Sequence, residues 1–493
     1  MPDMTTSNIG ALHDQIVPSW KDYTLIVTLA SVIALLSASA SPVLWFALAT
    51  ILVVACELFT QLGSLAVVML SCGLLNYSPY ETGALSRLFP GDLAIALFLL
   101  AWLAKQRPWS VKSFFTPDLL KRPLFAMAVV VPLTMLWARL HPDPSVTYSF
   151  PHSDVSLTMT QISQVGLLAT TICMPFAVAA AVKSWKNIEF VIIVMGAVAA
   201  IGSIVTAAAM VFGFGGSFEI LGATRAYWEQ PWQSSMYVTI VILPFLYSAV
   251  VFGYRFIRFY GLICILFSLC LMGVALTYSR ECWLLAAFEI LFVSSLRLRR
   301  HLATLAAVFL IPILIITVTI PGAITSVARF YNPDQVYGLD RVYYYITALQ
   351  LLVSHPILGV GAGNYQFFDR VYAEVSSGGI AHNQFLTIAA EMGIVGLGVF
   401  AWFLVCLLRL RRNFKPIQEG ARDPNYWFKP AASCFVLAWI AECFFSEAFF
   451  VSAAAGGGTK TITIPIFAWI LLGMLLAAVR LNDTKRSNDA NLH

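Results

Sequence analysis

Apolar runs recur from one end of this chain to the other, and most are about long enough to cross a ~30 Å hydrocarbon layer as helix. That feature leaves few folds open. With no water in the layer, backbone N–H and C=O groups must be satisfied within the spanning structure, as a helix or a closed barrel does. A barrel would show short alternating strands, whereas the runs here are continuous. Only 11% of the residues are charged and 59% are hydrophobic, against roughly 25% charged in soluble domains. The chain is read as an all-α polytopic membrane protein. Its formal net charge of +5 is no nucleic-acid signal, because the basic residues sit in short loops between runs. The nine cysteines lie in or beside apolar runs without paired spacing. That argues against a disulfide framework or a zinc site and for buried, inert thiols.

A polar stretch, 1–22, precedes the first run, and no cleavable signal peptide is apparent there. Spans are expected at 23–40, 43–60, 62–75, 91–104, 124–140, 159–182, 190–214, 236–252, 261–278, 283–296, 302–320, 385–408, 431–450 and 461–479. Since 43–75 also reads as one long helix, the expectation is a single transmembrane domain, 23–479, of about 12–14 helices. Basic clusters at 105–122, 183–186, 255–258, 297–300, 409–415 and 480–486 are each two spans apart. They define one cytoplasmic face and make 1–22 and 480–493 cytoplasmic tails. The opposite face takes the loops 141–158 and 215–235 and one long loop, 321–384.

That long loop carries three arginines up to His382 and no lysine, against the usual bias for outside loops. Within it, Leu339, Val342, Tyr343, Ile346, Leu349 and Val353 recur at helical spacing, so an amphipathic helix lying at the interface is predicted. Asp340 and Arg341 fall at its first turn. The stretch SHPILGVGAGN then breaks the helix, since Pro356 cannot extend it and three glycines permit tight turns. AHNQFL opens the next span, with His382 at its start and Asn383 as a candidate cap. A helix start offers free N–H groups and a positive dipole end, both suited to an anion. Arg280, in TYSREC, stands between two spans at the same outward end. It reads either as a snorkelling anchor or, with Arg341 and Arg225, as part of one cationic pocket. Arginine suits phosphate because its planar fork donates two parallel hydrogen bonds.

TYSRECWL, then DRVYYYITALQLLVSHPILGVGAGNY, then AHNQFLTIAAEMGIVGLGVF, in that order and spacing, resemble the O-antigen ligase and polysaccharide polymerase superfamily of bacterial membrane glycosyltransferases. The resemblance covers 276–400, which would form the core of a GT-C-like fold with 321–384 as its periplasmic catalytic loop. It implies transfer of a glycan from undecaprenyl pyrophosphate, at the periplasmic face of the bacterial inner membrane. The acceptor would be lipid A core for a ligase, or a second carrier-linked glycan for a polymerase. The family's arginine of its SR motif falls on Arg280, its loop-helix arginine on Arg341 and its HN histidine on His382. GATRAYWEQPWQ is a weaker echo that would bring in Arg225. The family works by inversion without metal or other cofactor, which leaves membrane lipids and lipid-linked glycans as the partners.

Residue chemistry leads to the same assignment. A leaving pyrophosphate needs its charge neutralised, which arginines can do without magnesium. The acceptor hydroxyl needs a base, and a histidine titrates near neutral pH. His382 is therefore the candidate base, and Arg280 and Arg341 the candidate pyrophosphate clamp. His355, before Pro356, reads as structural, its ring bonded to backbone. Asp340 reads as an orienting partner of Arg341 or a helix-start charge, rather than an acid catalyst. His141 and His152, each with an Asp two residues on, lack a clearly spaced third metal ligand. Glu57, Asp92, Glu289, Glu391, Glu442 and Glu447 lie in or at the ends of spans. Intramembrane acids keep open a rival reading, an ion- or proton-coupled transporter of an anion or other solute. Against it, the arginines and His382 gather at one face rather than the midplane where carriers bind. A non-catalytic scaffold of an export complex is the third class.

Overall fold

The computed structural model describes residues 61–74, 90–105, 119–150, 153–212, 217–220, 223–226, 233–253, 259–276, 280–297, 340–372, 381–414, 426–446, 449–450 and 465–490. The spans expected at 23–40, 43–60 and 302–320 lie largely or wholly outside these residues. The described helices are α1 Gln61–Leu74, α2 Pro90–Lys105, α3 Lys121–Leu140, α4 Leu157–Ala181, α5 Trp185–Phe212, α6 Gln233–Phe252, α7 Tyr260–Leu276 and α8 Arg280–Arg297. They continue with α9 Asp340–Ser354, α10 Tyr365–Tyr372, α11 Gln384–Arg411, α12 Phe428–Glu442 and α13 Ile466–Ala490. Five stretches among them are long and apolar enough to cross a membrane, and α1, most of α2 and α6, and α7 are shorter apolar helices. The fold is all-α and polytopic.

Two short hairpins interrupt the helical pattern in segments read from sequence as plain loops. β1 Ser149–Phe150 pairs antiparallel with β2 Ser153–Ser156, and β3 Ser217–Ile220 with β4 Ala223–Ala226. The last helix continues through Arg480 to Ala490, past the membrane-crossing stretch, which ends at Asp483.

Packing follows from composition. α5 lies against α6 and α7, α12 closes on α6 and α8, α13 lies along α4, and α11 lies against α3. In lipid no hydrophobic effect drives helices together, so small residues that permit close backbone approach matter most. A side chain at Gly273 of α7 would fall 2.0 Å from the Ser203 hydroxyl of α5. Prolines at 132, 175 and 244 sit inside α3, α4 and α6. Spanning helices accept them because neighbouring groups satisfy the freed backbone. One large apolar core holds the bundle, with Trp439, Trp469, Phe403 and Phe449 stacked edge and face at its centre. The eight described cysteines are free thiols, six of them buried.

A second, smaller core lies at one end of the bundle. It joins Ala348 and Leu351 of α9, Tyr365, Phe367 and Phe368 of α10, Val146 of the 141–150 loop, and Ala381 and Ala390 at the start of α11. This core carries the site.

Candidate active site

Three segments build the site, and the sequence dictates how each is held. The first is a break in α11. Gly393 adopts φ 61, ψ −159 inside the helix, a conformation only glycine takes without strain. The break removes helical partners from the carbonyls of Ala390 and Glu391 and from the amides of Ile394 and Val395. The loop after α9 supplies replacements. Val360 N donates to Ala390 O at 3.0 Å and Gly361 N to Glu391 O at 2.8 Å. Ile394 N donates to Pro356 O at 2.9 Å and Val395 N to Ile357 O at 3.3 Å. The loop backbone lies so close that a Cβ at Gly359 would sit 2.3 Å from the Glu391 carbonyl carbon. The PILGVG glycines thus serve backbone-on-backbone docking, with the amides of Gly359 and Gly361 taken by His355 O and Glu391 O.

The second segment is α10 with its roof. Glu391, buried in α11, accepts from Tyr365 N at 3.2 Å, placing a carboxylate at the N-terminus of α10, where helix N–H groups want an acceptor. Glu391 thus ties α11 to the start of α10. Over α10 lies the loop after α3. Asp143 accepts from Ser145 N and Oγ and from Tyr372 OH, at 2.8, 2.6 and 3.0 Å. The Ser145 bonds, side chain first, hold the Asp143 carboxyl below its usual range. That gives Asp143 a structural use, tying loop to helix. His141 stacks on Trp137, with ring centroids 3.8 Å apart. His152 lies outside the described residues. His355 packs its ring edge-on against Phe368, and its Nδ1 finds no hydrogen-bond partner among the described residues, so the expected backbone bond is not seen there.

The third segment joins α9 to the start of α11. Asn383 caps α11: its Oδ1 accepts from Phe385 N and Leu386 N at 3.0 and 3.1 Å, and its Nδ2 donates to Phe444 O at 3.3 Å. Gln384 N donates to Cys443 O at 2.8 Å, so the start of α11 is held against the end of α12. His382, one residue before the cap, has φ 51. It is the one described non-glycine residue in the left-handed region, where bulky side chains are uncommon. That backbone turn sets the imidazole beside Tyr344 of α9, ring centroids 5.8 Å apart. Tyr344 stands three residues beyond Arg341, hence on the same helix face. Burial, and after it the nearby Arg341 guanidinium, push the His382 imidazole down to about 4. The ring is therefore neutral at pH 7, with a nitrogen able to accept a proton. Arg341 in turn lies 3.4 Å from Glu281 in the first turn of α8.

The structure thus brings Arg341 and His382 together with Tyr344 and Glu281. Arg280 directly precedes Glu281, so its backbone stands at the same end of α8, while its side chain lies outside the described part. Asp340 begins α9, and Arg225 sits on β4 opposite Phe218; their side chains are outside the described part too. Two participants escaped the sequence reading. Tyr344 is one of three consecutive tyrosines, with nothing to single it out. Glu281 stands in the first turn of α8, where an acid suits the helix start whatever else it does.

The outer face of α9 completes the picture. Of the predicted apolar stripe, Val342, Ile346, Leu349 and Val353 are exposed, Val353 to 80%, Tyr343 is half-buried and Leu339 lies outside the described residues, while Ala348 and Leu351 of the same helix are buried. In a membrane protein such a stripe faces lipid. The family model described as O-antigen ligase matches residues 265–401, which run from within α7 through the broken part of α11. No curated protein matches the chain. The matched segment, 137 of the 493 residues of this polytopic membrane protein, is similar to the O-antigen ligase domain and holds Arg341, Glu281 and His382.

Proposed function

We propose that the chain transfers a glycan from undecaprenyl pyrophosphate to an acceptor hydroxyl at the periplasmic face of the bacterial inner membrane, as an O-antigen ligase. The observation that carries this reading is the meeting of a neutral imidazole, His382, with a guanidinium, Arg341, inside the matched segment. In the proposed step the acceptor oxygen attacks the anomeric carbon and its proton passes to the His382 ring. The bond from that carbon to the pyrophosphate oxygen breaks, and its electron pair leaves with the pyrophosphate. Attack from the face opposite the leaving group inverts the centre. Arg341, with Arg280 at the end of α8, neutralises the charge that develops on the leaving group, so no metal is needed for that task. The apolar stripe of α9 beside Arg341 suits a substrate whose tail stays in the bilayer.

Purified protein given a carrier-linked glycan should transfer it to lipid A core. Transfer instead to a second carrier-linked glycan makes the enzyme a polymerase. Anion or proton flux in liposomes, with no transfer to either acceptor, sinks the reading. In cells, deletion should leave carrier-linked polymer intact while lipid A-linked long glycan disappears; single repeat units indicate the polymerase.

The His382 environment makes a pH prediction. Because its folded value is pushed down, protonation is delayed on acidification. The acid limb of kcat/KM, which reports the free enzyme, should fall near pH 4 rather than near the ordinary value of ~6.5. Bound diphosphate adds negative charge beside the ring and favours its protonated form. The acid limb of kcat should therefore lie higher than that of kcat/KM. Two limbs that coincide near 6.5 would contradict both the burial and the arginine effect.

A further inference from the structure

Glu281 has no role in the step above, yet it makes direct contact with the arginine assigned to the leaving group. Its Oε2 lies 3.4 Å from Arg341 Nη2, joining the first turn of α8 to that of α9 across a sequence gap of 60 residues. The side chains are 42% exposed for Arg341 and 23% for Glu281, so water reaches the pair and the bond is readily exchanged. Among the described residues, one long N···O contact engages only one of the five guanidinium donors. Carboxylate and phosphate oxygens present the same kind of acceptor to an arginine fork. Glu442, at the end of α12, stands within electrostatic reach of Glu281. His382 lies within reach of Arg341 on the other side.

We propose that Glu281 is a positioning residue. In the empty site it is the counter-ion of Arg341, standing where the donor's diphosphate will stand, and it releases the guanidinium when the donor arrives. This rests on the diphosphate reading above. It keeps a solvent-accessible arginine aimed at the site instead of sampling rotamers. It also opposes diphosphate binding by an amount that eases departure of the spent carrier, which carries the same diphosphate. Neutralising Glu281 should therefore tighten diphosphate binding, whereas loss of a merely structural contact would loosen it.

The test compares binding of undecaprenyl pyrophosphate to wild type and Glu281→Gln, both full-length in nanodiscs at fixed ionic strength. The expected result is affinity raised about two- to fivefold, the scale of a partly exposed ion pair. In turnover KM for the donor should fall and kcat should not rise. Wild-type binding with unchanged or weaker binding by Glu281→Gln overturns the inference and leaves the donor reading standing. No binding by wild type removes both. Should Glu281→Gln fail to fold, Glu281→Asp draws the charge back by one methylene; a smaller rise in affinity is expected, and a loss counts against the proposal.

Discussion

Replacing His382 should lower glycan transfer by about 10²–10⁴-fold, the usual contribution of a positioned general base. Alanine is a poor choice for the experiment. His382 holds φ 51, and a left-handed backbone at alanine carries strain of its own, of order 1 kcal/mol. A weakened His382→Ala enzyme would therefore mix lost chemistry with a distorted start to α11. Asparagine visits the left-handed region more readily than most residues and has no basic nitrogen. His382→Asn should keep the fold, the Asn383 cap and the wild-type melting temperature, and still lose transfer. Donor binding should survive, because the arginines remain. If His382→Asn at wild-type abundance transferred glycan near the wild-type rate, the base would have to be found elsewhere. Glycine at 382 provides the complementary control: it relieves the backbone and should be as inactive as asparagine.

The sequence disclosed some of this site and concealed the rest for physical reasons. The α9 stripe was legible because helical periodicity is local, and its helix begins at Asp340, next to the Leu339 where the pattern starts. Asn383 was legible as a cap because capping involves residues two and three positions on. The break at Gly393 was not. A single glycine in an apolar span usually marks close packing, and nothing in EMGIVG announces that a segment thirty residues earlier will pair with the exposed carbonyls. The hairpins β1–β2 and β3–β4 were missed because strands of two to four residues are too short to show alternation. Glu281 could be seen only once the first turns of α8 and α9 were brought together. His355 shows how a tertiary contact stays hidden: a loop histidine suggests a backbone bond, and the ring contact that the described residues show is edge-on packing against Phe368.

Gly393→Ala should be the most damaging substitution remote from the chemistry. Its Cβ would lie 2.4 Å from the carbonyl carbon and oxygen of Ile357 and 2.7 Å from Pro356 O, all backbone atoms that cannot rotate away. The backbone there, φ 61 and ψ −159, is itself denied to alanine. Strain of ~1–3 kcal/mol from the dihedrals and a similar overpacking term give a loss of about 2–6 kcal/mol. The energy can be reduced only by parting the 356–361 loop from α11. That movement would release the bonds to Ala390, Glu391, Ile394 and Val395 and loosen the hold of Glu391 on α10. The start of α11 would then lose its packing against α9, and His382 its place beside Tyr344. Gly398 provides the matched comparison, for it lies in the same helix with nothing within 4 Å of a would-be Cβ. Alanine there should be neutral or stabilising by up to ~1 kcal/mol, the ordinary helix preference. Thermal unfolding of both variants in detergent, with transfer measured on the folded fraction, separates the two outcomes. Equal melting temperatures for Gly393→Ala and Gly398→Ala would mean that the broken helix and its docked loop do not hold the site.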